Sequence, residues 1–498
     1  MAQDRRDFLK TAGCGLTMAA LATSVEHLGR VSAFAQKSAA SPEFADYKAL
    51  VCIFMSGGND CNNMIVPIHD DVSISNYNTY KTARLASSLA LPRSAADGAG
   101  PYLIPITVPR IGNLAYGLHP ALSPEVGAGG GAAGLLPLWN AGKMAVMCNV
   151  GNLVSPMTRT TYQNNSVPKP YQLFSHSDQV NQQQSSKSNG ISNSGWGGRI
   201  ADKLRPQDAD ATIPMITSIA GSQLFTNGTG TTPMAIGTGN LNQQLVLNGF
   251  NATPESVARR ASFDQLRGMD LSSNVVKAAS EITGAAIQAS ASLSTNPVFT
   301  TVFPNTNIAQ QLLQVARLIS LRTAMSANRQ IFFVQLGGYD THANELAVHT
   351  NLYTQLSQAM KAFYDSTVEM GIQNSVTTFT MSDFGRTLQP SGVGAGVVGS
   401  DHAWASHAII MGGSVNGGGP SNFYGMNTSN GTPFPTLVMG GPDDTDTRGR
   451  WIPTTSVEQY AAVMASWFGV DPVDLSGATG VFPLLSNFTY PSTNLTFV

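Results

Sequence analysis

Four apolar runs in this chain end in acids and histidines, the residue types a metal-dependent site requires. The first is Phe54-Met55-Ser56-Gly57-Gly58-Asn59-Asp60-Cys61-Asn62-Asn63, where paired glycines allow a sharp turn that presents Asp60. The second, Leu336-Gly337-Gly338-Tyr339-Asp340-Thr341-His342, repeats the glycine pair before an acid and an imidazole. The third is Met381-Ser382-Asp383-Phe384-Gly385-Arg386, and the fourth Ser400-Asp401-His402-Ala403-Trp404-Ala405-Ser406-His407, which runs into another apolar stretch. Several carboxylates and imidazoles converging on one place repel one another unless cations neutralise them. Mixed oxygen and nitrogen ligation suits Zn or Mn or, with fewer histidines, Ca or Mg, and a pair of divalent ions accounts for the clustering. Each element taken singly has a structural explanation: an acid after a strand often caps a helix, and a lone histidine usually packs or hydrogen-bonds. His27, His69, His119 and His349 have no acid beside them at a strand end and are read as background.

The elements that must carry these clusters are short runs rich in Val, Ile and Phe, separated by helical segments. This is the pattern of an α/β fold with a mostly parallel central sheet flanked by helices. Strands are expected at Leu50–Met55, Met144–Val150, Ile213–Ile219, Gln330–Leu336, Val376–Met381 and Ala408–Met411, and helices at Ile308–Ser326, Leu346–Met370 and Val457–Phe468. Residues 152–193 and 226–248 are dense in Asn, Gln, Ser and Thr, so long surface loops or a small cap are expected there. Gly129, Gly131 and Gly134 form a G-x-G-x-x-G, but Ser123-Pro124-Glu125 stands where a dinucleotide site needs a strand, so a glycine loop is the reading. No repeat or linker divides the chain, and residues 45–490 read as one domain.

Charged residues make up 12% of the chain and the net charge is -2, which leaves no footprint for nucleic acid or for a membrane-binding basic face. Beyond the N-terminal segment no stretch is long enough to span a bilayer. That segment, residues 1–35, carries Asp4-Arg5-Arg6-Asp7-Phe8-Leu9-Lys10, a short apolar stretch from Thr11 to Val25, and the small-x-small sequence Ala33-Phe34-Ala35. It reads as a twin-arginine export signal, which places the mature chain in the periplasm or outside the cell after folding, often with a metal already loaded. Cys14 lacks the apolar residue upstream that a lipid anchor needs. Cys52 and Cys148 lie in strand-like runs and read as buried thiols. Cys61 lies in a loop where exposure is expected, and its role as ligand, nucleophile or plain thiol stays open.

These blocks, G-G-N-D-C-N-N-M-I-V-P (57–67), G-L-H-P-A-L (117–122), F-S-H-S-D-Q (174–179), G-W-G-G-R (195–199), G-G-Y-D-T-H (337–342), S-D-F-G-R-T (382–387), S-D-H-A-W-A-S-H (400–407) and I-P-T-T-S-V-E-Q-Y (452–460), give the chain its resemblance. It resembles a large, mostly bacterial family of exported twin-arginine-signal proteins of unknown function within the alkaline phosphatase and sulfatase superfamily. The resemblance implies an alkaline-phosphatase-like fold, one or two divalent metals at the carboxyl edge of the sheet, and hydrolysis of a small anionic phosphate or sulfate ester. Asp60 is similar to the first-strand metal aspartate, Ser175 to the nucleophile, and Asp340 with His342 to the acid and histidine of the other metal. The spacing departs from the superfamily, where that acid and histidine commonly lie four positions apart. In one register Asp383 is a ligand with His402 or His407, and in the other Asp401 and His402 share one metal while His407 holds the second. Arg386 either holds non-bridging oxygens of the ester or pairs with Asp383 inside the fold. The competing implication is an exported binding or assembly protein that kept the scaffold, with a degenerate or structural metal.

Overall fold

The computed structural model describes residues 44–498 apart from 86–88, 125–133, 232, 242–252, 294, 393–396 and 418–421. The N-terminal signal, Gly129 and Gly131, and the end of the polar stretch 226–248 lie outside the described residues.

Fourteen strands are described: β1 (Lys48–Ser56), β2 (Ile65–Pro67), β3 (Ile104–Val108), β4 (Leu114–Leu118), β5 (Met144–Gly151), β6 (Ile216–Ser218), β7 (Met234–Ala235), β8 (Arg329–Gly337), β9 (Val376–Ser382), β10 (Arg386–Ser391), β11 (Gly399–His402), β12 (Ser406–Gly412), β13 (Phe423–Tyr424) and β14 (Thr455–Ser456). Nine of them form one sheet in the order β13-β5-β12-β9-β1-β8-β6-β7, with β14 also on β5. β9, β1, β8, β6 and β7 run parallel, and β12 alone is reversed between β9 and β5. The chain is therefore α/β with a mixed, mostly parallel sheet. The expected strand at Ile213–Ile219 shortens to Ile216–Ser218, and the other five lie within a residue or two of their expected bounds.

β1 shows why a near-continuous apolar run forms a central strand. Successive side chains point to opposite faces, so Ala49, Val51, Ile53 and Met55 enter one core while Leu50, Cys52 and Phe54 enter the other. The helix Asn307–Ser320 covers the first face with Ile308, Leu312, Val315 and Ile319, together with Leu352, Leu356, Met360 and Phe363 of the helix Glu345–Glu369. Trp196–Leu204 and Val457–Phe468 cover the second. The expected helix over Ile308–Ser326 ends at Ser320, and residues 321–326 continue as turns. Among the described residues no helix is long and apolar enough to cross a membrane.

The polar stretch 152–193 folds into two helices, Arg159–Gln163 and His176–Ser185, and the second lies against β9. β1, β8 and β9 are neighbours in register, Met55 pairing with both Leu336 and Ser382, so the segments carrying Asp60, Asp340 and Asp383 leave from one carboxyl edge. The β10–β11 hairpin pairs Arg386 with His402 just beyond that edge.

Candidate metal centre

The turn after β1 makes room for the cluster. Gly57 has φ +120°, and a Cβ there would stand 2.4 Å from the backbone nitrogen of Asp340, so only glycine fits. Its N–H donates to Asp383 Oδ1 at 3.1 Å. Ser382 Oγ donates to Met55 C=O at 2.7 Å and accepts from Asn59 N–H at 2.9 Å, fastening the ends of β1 and β9 together.

Three imidazoles meet Asp340 above this turn. His176 is the first residue of its helix, His342 follows β8, and His402 ends β11. His402 Nε2 lies 3.0 Å from His176 Nε2, 3.1 Å from His342 Nε2 and 3.3 Å from Asp340 Oδ1. His342 Nε2 lies 3.1 Å from Asp340 Oδ1, and His176 Nε2 3.5 Å from Asp340 Oδ2.

The far side of each ring decides which atoms face inward. His402 Nδ1 is 2.9 Å from the Phe174 carbonyl, His176 Nδ1 is 2.7 Å from Asp383 Oδ2, and His342 Nδ1 is 3.3 Å from Asp401 Oδ1. A carbonyl or carboxylate oxygen only accepts, so the Nδ1–H tautomer satisfies all three outer contacts, and in that tautomer each neutral ring turns a bare Nε2 lone pair inward. Three lone pairs and a carboxylate then face one another with no donor among them. Such a set is repulsive by itself and suits a cation, and the Nδ1–H···O contacts are the outer-shell arrangement that orients metal-binding histidines. His176, Asp340 and His402 place one donor atom each within 4.8 Å of one another. Phe174 takes φ +75°, rare for an aromatic residue, at the residue whose carbonyl holds His402.

The electrostatics fit this picture. The hydrogen bond that Asp383 accepts raises the pKa of His176 against the burial of its ring. Burial, opposed by the Phe174 carbonyl, lowers that of His402. Asp340 and Asp401 are each pushed up by burial, but Arg386 with His176 and His342, and Arg448 with His342, together outweigh it and hold them below the usual carboxylate range. The side chains of Asp340 and His342 are 45% and 49% exposed, so the centre opens to solvent. An open position is what separates a reactive metal site from a structural one.

The remaining residues singled out in the sequence are placed as follows. Arg386 is sealed inside: it donates to Asp340 at 3.1 Å, to Ser400 Oγ at 3.0 Å and to Gly57 C=O at 3.1 Å, and lies 3.8 Å from Glu345. It stands behind the centre and is not open to a ligand, and its partner is Asp340 instead of Asp383. Ser175 is the N-cap residue before His176, but its hydroxyl turns to Asp178 Oδ2 at 2.6 Å. The structure does not bring Asp60 or His407 to the cluster. Both oxygens of Asp60 accept from Arg84 at 2.8 Å in a fully buried pair, with Glu345 beside it, whose pKa burial and the Asp60 charge push up to about 8. His407 accepts the Asn149 N–H at Nδ1, 3.1 Å away, and burial lowers its pKa to about 3. Cys61 is buried, contrary to the expected exposure, because Asp60 caps a helical turn, Cys61–Met64, that tucks the thiol towards the Ala405 carbonyl. Burial pushes its pKa up to about 12.

His176 is the member of the cluster that the sequence reading missed. It sat in the F-S-H-S-D-Q block beside Ser175, but in a polar stretch before a helix and not at a strand end.

The family model described as "Protein of unknown function (DUF1501)" matches residues 47–434, most of the chain. The chain belongs to that family. All three histidines and Asp340 of this DUF1501 member lie inside the matched region. No curated protein matches it. A solved structure described as "Crystal structure of Ps i-CgsB in complex with k-i-k-neocarrahexaose" is similar at 10% identity and a TM-score of 0.28, covering 79% of this chain and 70% of that one.

Proposed function

We propose that this chain is an exported, divalent-metal-dependent hydrolase of phosphate or sulfate esters on an alkaline-phosphatase-like scaffold. What carries the reading is the inward-facing donor set of His176, His342, His402 and Asp340, with every imidazole tied down on its far side. Each Nε2 has one lone pair and serves one cation, so these donors argue for one ion of the Zn or Mn type and not for two. Asp383 and Asp401 then belong to the outer shell, each orienting one histidine. A cation held there supplies Lewis acidity towards an ester oxygen and stabilises negative charge as it develops. The chain's own part is to fix four donors on rigid strand ends and a helix start, to keep Asp340 ionised through Arg386, and to leave one side open.

A second reading, an exported binding or assembly protein with a structural metal, is favoured by one observation. Ser175 Oγ is engaged by Asp178, and among the described residues no serine or threonine hydroxyl is bonded to the donor atoms of the cluster.

The test is elemental analysis of the folded, exported protein beside His402→Ala and Asp340→Asn, followed by a screen of phosphate and sulfate esters with the loaded parent. About one equivalent in the parent, lost in both variants, with turnover of an ester, supports the hydrolase. Metal without turnover moves the reading to the binder, and a well-folded parent that takes up none of Zn, Mn, Mg or Ca sinks both.

A further inference from the structure

Residues 440–450 lie outside every cluster discussed so far, yet they reach His402 directly at its carbonyl and His342 through Asp401. Asp444 is completely buried, and its carboxylate accepts four backbone N–H groups: Gly440 and Gly449 at 2.9 Å on Oδ2, Arg450 at 3.0 Å and Asp446 at 3.2 Å on Oδ1. Both oxygens thus point at donors. The run Asp443-Asp444-Thr445-Asp446, which read alone suggests a calcium loop, is wound around an anion instead. Arg159 Nη1 fastens the loop from outside, donating to the Asp444 carbonyl at 2.6 Å and to the Gly441 carbonyl at 3.2 Å.

Two arginines leave this loop towards the centre. Arg448 donates to Asp401 Oδ2, whose other oxygen holds His342 Nδ1. Arg450 donates from Nε to the His402 carbonyl at 2.9 Å, pairs with Asp446 at 3.0 Å, and lies over the Phe174 ring at 4.7 Å, the residue whose carbonyl holds His402 Nδ1. His342 is the most exposed of the ligands, and among the described residues the only hydrogen bond of its Nδ1 is the one to Asp401.

We propose that Asp444 is a remote positioning residue for the metal centre: by gathering residues 440–450 around its carboxylate it fixes Arg448 and Arg450, which hold His342 and His402 in ligating orientation. This rests on the metal-centre reading above and adds a part to it that touches no ligand directly. Asp444→Asn is the sharp perturbation, because the amide keeps one accepting oxygen and turns an NH2 group against two of the four N–H donors.

The experiment measures metal affinity of the full chain by chelator competition with Zn and Mn, for the parent, Asp444→Asn, Arg448→Met, Arg450→Met and Asp444→Asn/Arg448→Met, each checked by thermal melting. Losing outer-shell support lowers metal affinity by about tenfold to a hundredfold, and the double variant is expected to be no weaker than Asp444→Asn, since both changes cut one line of support. Arg450→Lys is expected to recover part of what Arg450→Met loses. Parent-like affinity in a folded Asp444→Asn protein overturns the proposal, as does full additivity of the two changes. If Asn at 444 prevents folding, the two arginine variants decide, and parent-like affinity in both overturns it. A parent without metal sinks the functional reading separately. The brace is then judged by NMR of nitrogen-15-labelled histidines, where loss of the Nδ1–H form at His342 and His402 in Asp444→Asn supports it and unchanged tautomers refute it.

Discussion

Replacing Asp383 by Asn tests the central argument with the smallest change in shape. Asp383 Oδ2 accepts from His176 Nδ1 at 2.7 Å while Oδ1 accepts the Gly57 N–H at 3.1 Å. The asparagine oxygen keeps the bond to Gly57, but its NH2 group then faces Nδ1 and requires it to accept. His176 must move its hydrogen to Nε2, where it can no longer ligate, or leave its place. Outer-shell substitutions of this kind lower metal affinity by about tenfold to a hundredfold, equivalent to about 1.4–2.7 kcal/mol of binding free energy. Asp383→Ala also leaves the Gly57 N–H without its acceptor, which adds about 1–3 kcal/mol of lost fold stability. Chelator competition should therefore show both variants weakened, with the melting temperature falling mainly for alanine. A folded Asp383→Asn protein that holds Zn or Mn within twofold of the parent would show that the lone-pair argument is wrong.

The same geometry makes metal uptake compete with a proton on His176. Because the pKa of His176 is raised, affinity should be fully present above that value and decline as pH falls through it, and a pH series of competition titrations that shows no decline between pH 8 and pH 5 would contradict the assignment. Removing one partner of the buried Asp60–Arg84 pair leaves an unpaired charge, so Arg84→Met should cost about 3–5 kcal/mol of stability. Denaturant melts measure that cost, and metal content per folded molecule should stay at the parent's level. Ser175→Ala should keep the parent's metal affinity and ester turnover, since the hydroxyl is bonded to Asp178, and a turnover collapse with metal retained would restore it as the nucleophile. Cys61 should resist thiol reagents in the native protein at pH 8 and react only after unfolding.

The strand ends were legible because a buried parallel strand is written as one apolar run and stops where polar residues begin. β1, β8 and β9 could be found that way, and with them Asp340, His342 and Asp383. What a strand end does not reveal is which of its acids meets a cation. Asp60 and Asp340 follow the same kind of glycine turn, yet Asp60 is closed off by Arg84, which lies 24 residues further along in the helix Tyr77–Leu85. That distinction depends on a long-range contact with no local pattern. His176 was hidden for a related reason: its helix is polar, and its value comes from lying over β9. The role of Arg386 stayed open because an arginine sealed behind a carboxylate and one open to a ligand read identically in a linear sequence.

The reversed direction of β12 has a consequence for how the protein comes to be. Because β12 runs against β9, its first residue lies at the carboxyl edge, and the chain delivers Asp401 and His402 on its way in. The donors thus come from positions 176, 340, 342 and 402, and are brought together only when strands far apart in the chain have docked. A nascent polypeptide still short of β11 has no such cage to offer. On the proposed reading, ion capture waits until β8, β9 and β11 stand together, so a loaded molecule certifies that these strands are in place.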